Sequence, residues 1–570
     1  MPLPKISKPL HHPTLNCKLT GKTSKTTIQY RGIKYASIPG RWEESVSVDT
    51  LPVDEKGIFN ATTFGPSCPQ KKGAQAWDLT LIGNEILEVE EGQGDSEKMN
   101  EFECLHVNIT VPKGLEEGDA GGEGRAKGRL LPVFVWVHGG GLSMGSNSWP
   151  QYDLEKFVAR SVQIGKPIIG VAINYRIGVF GFLASRELGV EGNLGFKDQV
   201  NAFRWLKMHI RGFGGDPDNI TAAGESAGGI SLSTLLCADV GERLFDRVAV
   251  MSGEVTLRKP RRKRWHEGLY KDQLKMLGLE GLGPEERTGR MRDMSAEEMA
   301  EKLPLAQHFC AVVDGIWLKS NVELSMLADG GSEMGKPGWC KEFVIGDCAA
   351  DGTILKGRIL DDPQAHSRLI SLLSTHLTPL QSSNLLSAYS LTSPSSSVQT
   401  TFGLRNLATE LRWYLPSLVV HEGWKSAQRK RARYHFHVLN PFEGMHRRTA
   451  SHELDVAFLL QHYTDRIPSH LAYVAKQMAD LWIGLANGEG LEVYMGSDTW
   501  GSGSGDQVII ISDGGVESLS EEDYDDVYRN GRGRILQQLG REVGLDNLWK
   551  VADLWQGVRQ EEENGIKAKL

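Results

Sequence analysis

The most specific chemical pattern in the sequence lies at 221–229, TAAGESAGG. Gly224, Ser226 and Gly228 fit Gly-x-Ser-x-Gly, in which a strand turns abruptly into a helix and exposes a serine hydroxyl. A side chain at either glycine would collide across so tight a turn. We therefore predict that Ser226 is a nucleophile, between a strand at 220–223 and a helix at 230–236. The alternative is a glycine-rich helix N-terminus with a capping serine.

A glycine run at 138–141, HGGG, supplies the second part of the pattern. Serine alone is a poor nucleophile, so it needs a base and a site for the anion that forms. Consecutive glycines let backbone N–H groups point into a cavity, which suits an oxyanion hole. We predict Gly140, Gly141 and Ala227 as the donors. The alternative is a flexible loop between a strand and a helix.

These groups need a rigid sheet to position them. Apolar runs at 133–137 and 168–174 are typical of parallel strands buried on both faces. Amphipathic patterns at 154–163 and 199–210 predict helices between and after strands. This alternation favours an α/β fold.

The second half of the chain continues the pattern. Strand-like segments occur at 343–346 and 434–439, and Pro416 is expected to kink or end a helix. One face of that helix carries Leu404, Leu407, Leu411, Leu415 and Leu418. We predict one large domain over 1–570, with 1–25 as an irregular N-terminal segment.

Several stretches are predicted to be loops. The low-complexity segments 89–98, 113–129 and 393–401 indicate mobile surface loops, and the second is expected to join the strands at 105–111 and 133–137 as a long hairpin loop. GSGSG at 501–505 precedes a strand, which favours a hairpin loop over a dinucleotide site.

A strongly basic run, RKPRRKR, occupies 258–264. The main interpretation is a solvated loop that opens a helix. A nuclear address or an anion-binding patch is the alternative.

The composition excludes several classes of protein. The net charge of −8 over 570 residues gives no basic field for nucleic acid, and no apolar run approaches the ~18 to 20 residues of a membrane span. Seven widely spaced cysteines fit neither a zinc pattern nor a disulfide framework, so no metal or cofactor is expected. Without a visible secretory signal, a cytoplasmic location is expected unless the sequence is already processed.

Three longer segments, 174–183, 192–229 and 243–253, resemble the core signature of the type B carboxylesterases. This family of the α/β-hydrolase superfamily includes the cholinesterases. The resemblance spans at least Arg31 to Phe458. It implies an α/β-hydrolase fold, with a doubly wound, mostly parallel mixed sheet covered by helices.

The resemblance also indicates the remaining members of a catalytic triad, which follow the serine in the order acid, then histidine. In GDCAADGTIL (346–355) it assigns the acid to Asp351, with Asp347 as the rival. The family usually has Glu there, and the shorter Asp requires a closer backbone approach to the base. In TASHELDVAFLL (449–460) it assigns the base to His452, with His446 as the runner-up.

Other residues have supporting roles in the resemblance. It implies that Glu225 and Asp455 support the nucleophile and the base through hydrogen bonds or water, and that Arg176 and Asp198 form an ion pair that braces the core. Cys68 and Cys104 stand where the family has its N-terminal disulfide, and whether they are bonded stays open.

The function implied is hydrolysis of a small-molecule carboxylic ester, apolar or like a secondary metabolite, through Ser226, His452, Asp351 and an acyl-enzyme. One alternative is acyl transfer or cyclisation with the same triad. Another is a non-catalytic, cholinesterase-like binding module. The segment between Cys68 and Cys104 lacks a convincing counterpart of the choline-binding tryptophan, which disfavours acylcholines. Oligomeric state stays open.

Overall fold

The computed structural model describes residues 5–84, 87–90, 97–113, 130–392, 397–491 and 507–557. Its strands are β1 Leu10–His12, β2 Cys17–Thr23, β3 Thr27–Lys34, β4 Ala36–Ser37, β5 Val46–Ser47, β6 Ile58–Ala61, β7 His106–Pro112, β8 Leu131–Val137, β9 Ile169–Ile173, β10 Gly215–Glu225, β11 Arg247–Met251, β12 Arg261–Arg262, β13 Val312–Val313, β14 Glu342–Cys348, β15 Lys430–Phe436, β16 Gln507–Ser512 and β17 Gly515–Ser520.

The helices of the described residues are α1 Ala74–Leu79, α2 Glu155–Gln163, α3 Gly178–Phe182, α4 Leu194–His209, α5 Ala227–Cys237, α6 Lys263–Leu277, α7 Pro284–Asp293, α8 Ala296–Lys302, α9 Leu324–Ala328, α10 Ala365–His376, α11 Pro379–Ala388, α12 Ser397–Thr409, α13 Leu415–Ser426, α14 Leu454–Leu459, α15 Ser469–Ala486, α16 Glu521–Arg529, α17 Arg532–Val543 and α18 Leu545–Trp555. None of them combines the length and the apolar content needed to cross a bilayer.

Within the described residues, thirteen strands form one sheet in the order β1-β2-β3-β7-β9-β8-β10-β11-β14-β15-β16-β17, with β6 beside β2. The strands from β9 to β16 pair in parallel along this order. Antiparallel strands extend both edges. The predicted mixed, mostly parallel α/β sheet is confirmed, and both halves of the chain contribute to it.

Both faces of the central sheet are buried. In β8, Val133, Val135 and Val137 join one core, while Phe134 and Trp136 join the core on the opposite face. Helices α4 and α5 contribute to the first core, and α2 and α15 to the second. Because neither face meets water, these strands read as continuous apolar runs.

Three sequence expectations are wrong. The predicted irregular segment 1–25 contains β1 and β2, because Cys17 and Leu19 alternate into the core as β2 pairs with its neighbours. Strands β7 and β8 form no hairpin, since β9 lies between them. Residues 397–401 of the predicted loop 393–401 begin α12 instead. The rest of that loop, 114–129 and GSGSG lie outside the described residues.

The break in the leucine-rich helix precedes the proline. A single π-helical turn, Glu410–Tyr414, separates α12 from α13, and it contains the residue four before Pro416, whose carbonyl the proline leaves without its usual helical N–H donor. All five leucines of the predicted face are buried.

The predicted ion pair lies in the core. Arg176 Nε donates to Asp198 Oδ2 at 2.7 Å, and Asp198 also accepts from Ser45. All seven cysteines fall within the described residues and are free. Cys68 and Cys104 are neighbours, and the Cys68 thiol together with burial raises the pKa of Cys104.

Candidate active site

Ser226 lies at a sharp turn between β10 and α5. Its backbone has φ 52° and ψ −117°, a conformation in which a side chain is strained. A Cβ on Gly228 would stand 2.0 Å from Val137 O, and one on Gly224 would stand 2.7 Å from the backbone carbon of Gly228. The two glycines are therefore required, because the turn packs against the backbone of β8 at Gly228 and against its own first helical residues at Gly224.

The glycine loop after β8 lies against this turn. A Cβ on Gly139 would stand 3.5 Å from Ser226 Cβ, so the loop passes directly beside the serine. Gly140 and Gly141 have φ of 99° and 61°. Ser143 N and Met144 N both donate to Gly140 O at 3.0 Å and close the loop into a tight turn.

Three amides at this place lack an acceptor. Within the described chain, the N–H groups of Gly140 and Gly141 donate to no protein oxygen. Ala227 is the first residue of α5, and the N–H groups of a first helical turn have no intrahelical acceptor. These are the predicted oxyanion donors. Their free N–H groups on one side of Ser226 suit the binding of a negatively charged oxygen.

The predicted acid and base are in contact. His452 Nδ1 lies 2.6 Å from Asp351 Oδ1. Cys348 N donates to Asp351 Oδ2 at 2.9 Å, and Thr353 Oγ1 accepts from His452 N at 3.3 Å. Burial raises the pKa of Asp351, while its hydrogen bond with His452 opposes that shift. The aspartate thus fixes the orientation of the imidazole.

The other ring nitrogen of His452 lies beside Glu225. His452 Nε2 lies 3.1 Å from Glu225 Oε1, although the two atoms are not aligned for a hydrogen bond. No hydrogen bond joins Ser226 Oγ to His452 among the described residues. The structure brings Asp351, His452 and Glu225 together, and Ser226 follows Glu225 directly in the chain.

Asp347 and His446, the alternatives for the acid and the base, have different partners from Asp351 and His452. Asp347 Oδ1 lies 2.8 Å from Nδ1 of the buried His435, and Arg529 Nη2 approaches the same oxygen at 3.4 Å. The side chain of His446 makes no hydrogen bond to a carboxylate in the described residues, and burial lowers its pKa. In this geometry Asp351 contacts the predicted base and Asp347 does not.

Buried carboxyl groups surround His452. Tyr434 donates to Asp455 Oδ2 at 3.1 Å, and burial raises the pKa of Asp455 to about 6. Burial also raises the pKa of Glu225 well above its usual value, and the neighbouring Glu453 and Asp455 add to that shift. Both shifts are towards the protonated, uncharged form, and they keep the negative charge around His452 low.

Sequence reasoning missed two members of this group. Tyr152 donates to Glu453 Oε1 at 2.7 Å and approaches Asp78 Oδ2 at 3.2 Å, and Gln151 donates to the same Asp78 oxygen at 2.9 Å. Burial raises the pKa of both carboxyl groups. Glu453 could have been found from its place directly after His452. Asp78 comes from a distant part of the chain and carries no sequence signal.

The reactive groups described at this site are side chains and backbone amides. In the described residues, no cluster of His, Cys, Asp and Glu has an arrangement that could hold a metal ion. The chemistry available here is proton transfer by an oriented histidine, attack by a serine and binding of an anion by amides.

Curated proteins similar to this chain include a lipase and an esterase. Lipase 3 of Yarrowia lipolytica is 32% identical over 358 residues, which cover 61% of this chain and 63% of the relative. The para-nitrobenzyl esterase of Bacillus subtilis is 34% identical over 239 residues, covering 41% and 42%. The chain thus matches less than two thirds of the length of these relatives.

A likeness to solved structures extends over nearly the whole chain. A PNB esterase structure matches with a TM-score of 0.68 at 22% identity, covering 91% of this chain and 98% of that one, which shows a common fold. The model of the carboxylesterase family matches residues 12–496. Because that match covers most of the chain, this chain belongs to the carboxylesterase family.

Proposed function

We propose that this chain is a serine hydrolase that cleaves carboxylic esters through an acyl-enzyme on Ser226. The observation that carries the proposal is the 2.6 Å contact between Asp351 Oδ1 and His452 Nδ1, beside a serine on a strained strand-to-helix turn. Family membership supports an ester as the substrate, since relatives in it are named lipase and esterase.

The first step is removal of the Ser226 proton by His452 Nε2 as Oγ attacks the ester carbonyl. Asp351 holds the proton on Nδ1, so that Nε2 is the free base, and it balances the charge of the imidazolium. Glu225 also lies beside Nε2. Because the pKa of Glu225 is raised, its carboxyl group is neutral and does not stabilise a proton on that nitrogen. The step requires Ser226 Oγ to rotate towards Nε2.

The second part of the cycle uses the amides. Gly140, Gly141 and Ala227 donate to the oxyanion, and each such donor contributes on the order of 10²-fold or more to turnover. The imidazolium then protonates the leaving alcohol. Water attacks the acyl-enzyme with His452 again acting as the base, which restores Ser226.

The proposed substrate is a small ester with an apolar or secondary-metabolite-like part. Trp413 supports this proposal, because its ring packs edge to face against His452 with the centroids 6.0 Å apart. An aromatic wall beside the base suits an apolar leaving group.

Replacing the nucleophile tests the proposal. Ser226→Ala should lower kcat for para-nitrophenyl butyrate by roughly 10⁵-fold or more, because the residual rate comes only from binding and the oxyanion amides. The matched control is Ser233→Ala, further along α5, where Ser233 Oγ accepts from Val255 N and has no role in the cycle. Turnover of Ser226→Ala equal to that of the control would exclude Ser226 as the nucleophile.

A further inference from the structure

Arg258 opens the basic run at 258–264, and its side chain does not point into solvent. It is partly buried, and its Nη1 donates to Gln307 O at 3.3 Å. Its Nη2 lies 3.5 Å from the place where a Cβ on Gly141 would stand. Gln307 N in turn donates to Ser143 Oγ at 3.2 Å. The Arg258 guanidinium is thus fixed beside Gly141, at the far end of the glycine loop 138–141 that carries the predicted oxyanion donors (the oxyanion loop). The sequence predicted instead that the basic run would be a solvated loop.

The positive charge at this place exceeds the negative charge around it. Burial and the nearby Arg358 lower the pKa of Arg258 to about 9, which leaves it charged at neutral pH. Arg261 and Arg412 share one carboxylate, Asp553. No carboxylate of the described residues forms an ion pair with Arg258 or Arg358. Asp553 is the nearby carboxylate for Arg258 and Arg358 as well, so several partly buried cations share one negative charge, which suits the binding of an anion.

His308 adds unused hydrogen-bonding groups to the same place. Both of its ring nitrogens are buried and have no partner in the described residues. Burial, followed by Arg258 and Arg358, lowers its pKa well below the usual value, so the ring is neutral. A buried polar group without a hydrogen-bond partner is unfavourable, because it has lost its hydrogen bonds to water. A ligand that hydrogen-bonds to His308 would remove that cost.

The direction of the oxyanion loop indicates which part of an ester meets Arg258. At the start of the loop, a Cβ on Gly139 would stand 3.0 Å from Glu225 Oε2, and the other oxygen of Glu225 faces His452. At its end, Gly141 faces Arg258. The leaving alcohol must lie beside His452, which protonates it. The acyl chain therefore extends towards Arg258.

We propose that Arg258, together with Arg358 and His308, binds an anionic group at the end of the acyl chain. The preferred substrates are then half-esters of dicarboxylic acids, with one carboxyl group esterified and the other free. A guanidinium suits this role because it binds a carboxylate in a bidentate manner. The inference rests on the proposed ester hydrolysis and specifies its substrate class.

A pair of substrates that differ only in charge tests the inference. These are mono-para-nitrophenyl adipate and its analogue in which the free carboxylate is a carboxamide. At neutral pH the wild-type chain should hydrolyse the carboxylate with kcat/KM at least about tenfold higher. Arg258→Gln should remove most of that preference, and Arg258→Lys should restore part of it. The control Arg262→Gln, an exposed residue in the same basic run, should leave the preference unchanged.

A measurement without variants covers the case in which Arg258→Gln does not fold. Free adipate should inhibit the wild-type chain competitively, with an inhibition constant at least about tenfold lower than that of adipamide.

Several outcomes would overturn the inference. Equal losses on both substrates in Arg258→Gln would mean that Arg258 acts on the oxyanion and not on a substrate anion. Turnover of both esters without preference in the wild-type chain would overturn the inference and leave the proposed function standing. Turnover of neither ester would overturn both.

Discussion

Asp347 and Asp351 are only four residues apart in the chain, yet each contacts a different histidine. Asp347 lies within β14 directly opposite His435 of β15, so their side chains meet across the parallel strands. Asp351 lies beyond the end of β14, in a short 3₁₀ turn that faces His452. The Asp347–His435 pair therefore lies inside the sheet. The Asp351–His452 pair lies at the edge formed by the carboxyl ends of the strands.

Because the two aspartates have different partners, substitution of one should affect activity and substitution of the other should affect stability. Asp351→Asn should lower kcat/KM for para-nitrophenyl esters by about 10³- to 10⁴-fold, because an amide no longer holds the productive tautomer of His452. Asp347→Asn should lower the free energy of unfolding by about 3 kcal/mol, because it weakens the buried hydrogen bond with His435 and removes the buried ion pair with Arg529, while kcat is retained below its melting temperature. Ester kinetics and denaturant unfolding of both variants measure this.

The reverse outcome would contradict the assignment. If Asp347→Asn lost turnover while it remained folded, and Asp351→Asn stayed active, Asp347 would be the acid of the triad.

At the scale of elements, the turn between β10 and α5 depends on the absence of side chains. Gly228→Ala would place a Cβ 2.0 Å from Val137 O, which is backbone and cannot move without shifting β8. We expect this variant to lose about 4 kcal/mol or more of unfolding free energy, or to fail to fold. Gly281→Ala is the control, because no atom lies within 4 Å of its added Cβ.

Thermal or urea unfolding of the two glycine variants tests this requirement. The control should stay within about 0.5 kcal/mol of the parent chain. A Gly228→Ala variant with parental stability would show that the turn tolerates a side chain, and the steric account of the serine's position would fail.

The elements that sequence reasoning predicted well are those with a strong local signal. Strands β8 and β9 are apolar without interruption because both faces are buried, and the serine turn needs glycines at fixed positions. The pairing of β7 with β9, and not with β8, has no such signal. Strand pairing depends on contacts between distant parts of the chain, and the local pattern of residues does not encode those contacts.

At the scale of the whole molecule, the site joins residues from distant parts of the chain. The family resemblance supplied Asp351 and His452, which do contact each other. Asp78 and Glu453 were missed, because only the folded chain brings both to Tyr152. The basic run predicts a solvated Arg258, because its charge does not indicate which of its members turns inward.

The central claim is that Ser226 and His452 act as one unit, and covalent labelling tests it most directly. The chain is treated with a fluorophosphonate, and the labelled residue is identified by peptide mass spectrometry. We expect one label on Ser226, with a labelling rate that falls by about 10³-fold or more in His452→Ala, because the serine then has no base. A label on another residue, or labelling of Ser226 at the same rate in His452→Ala, would contradict the claim.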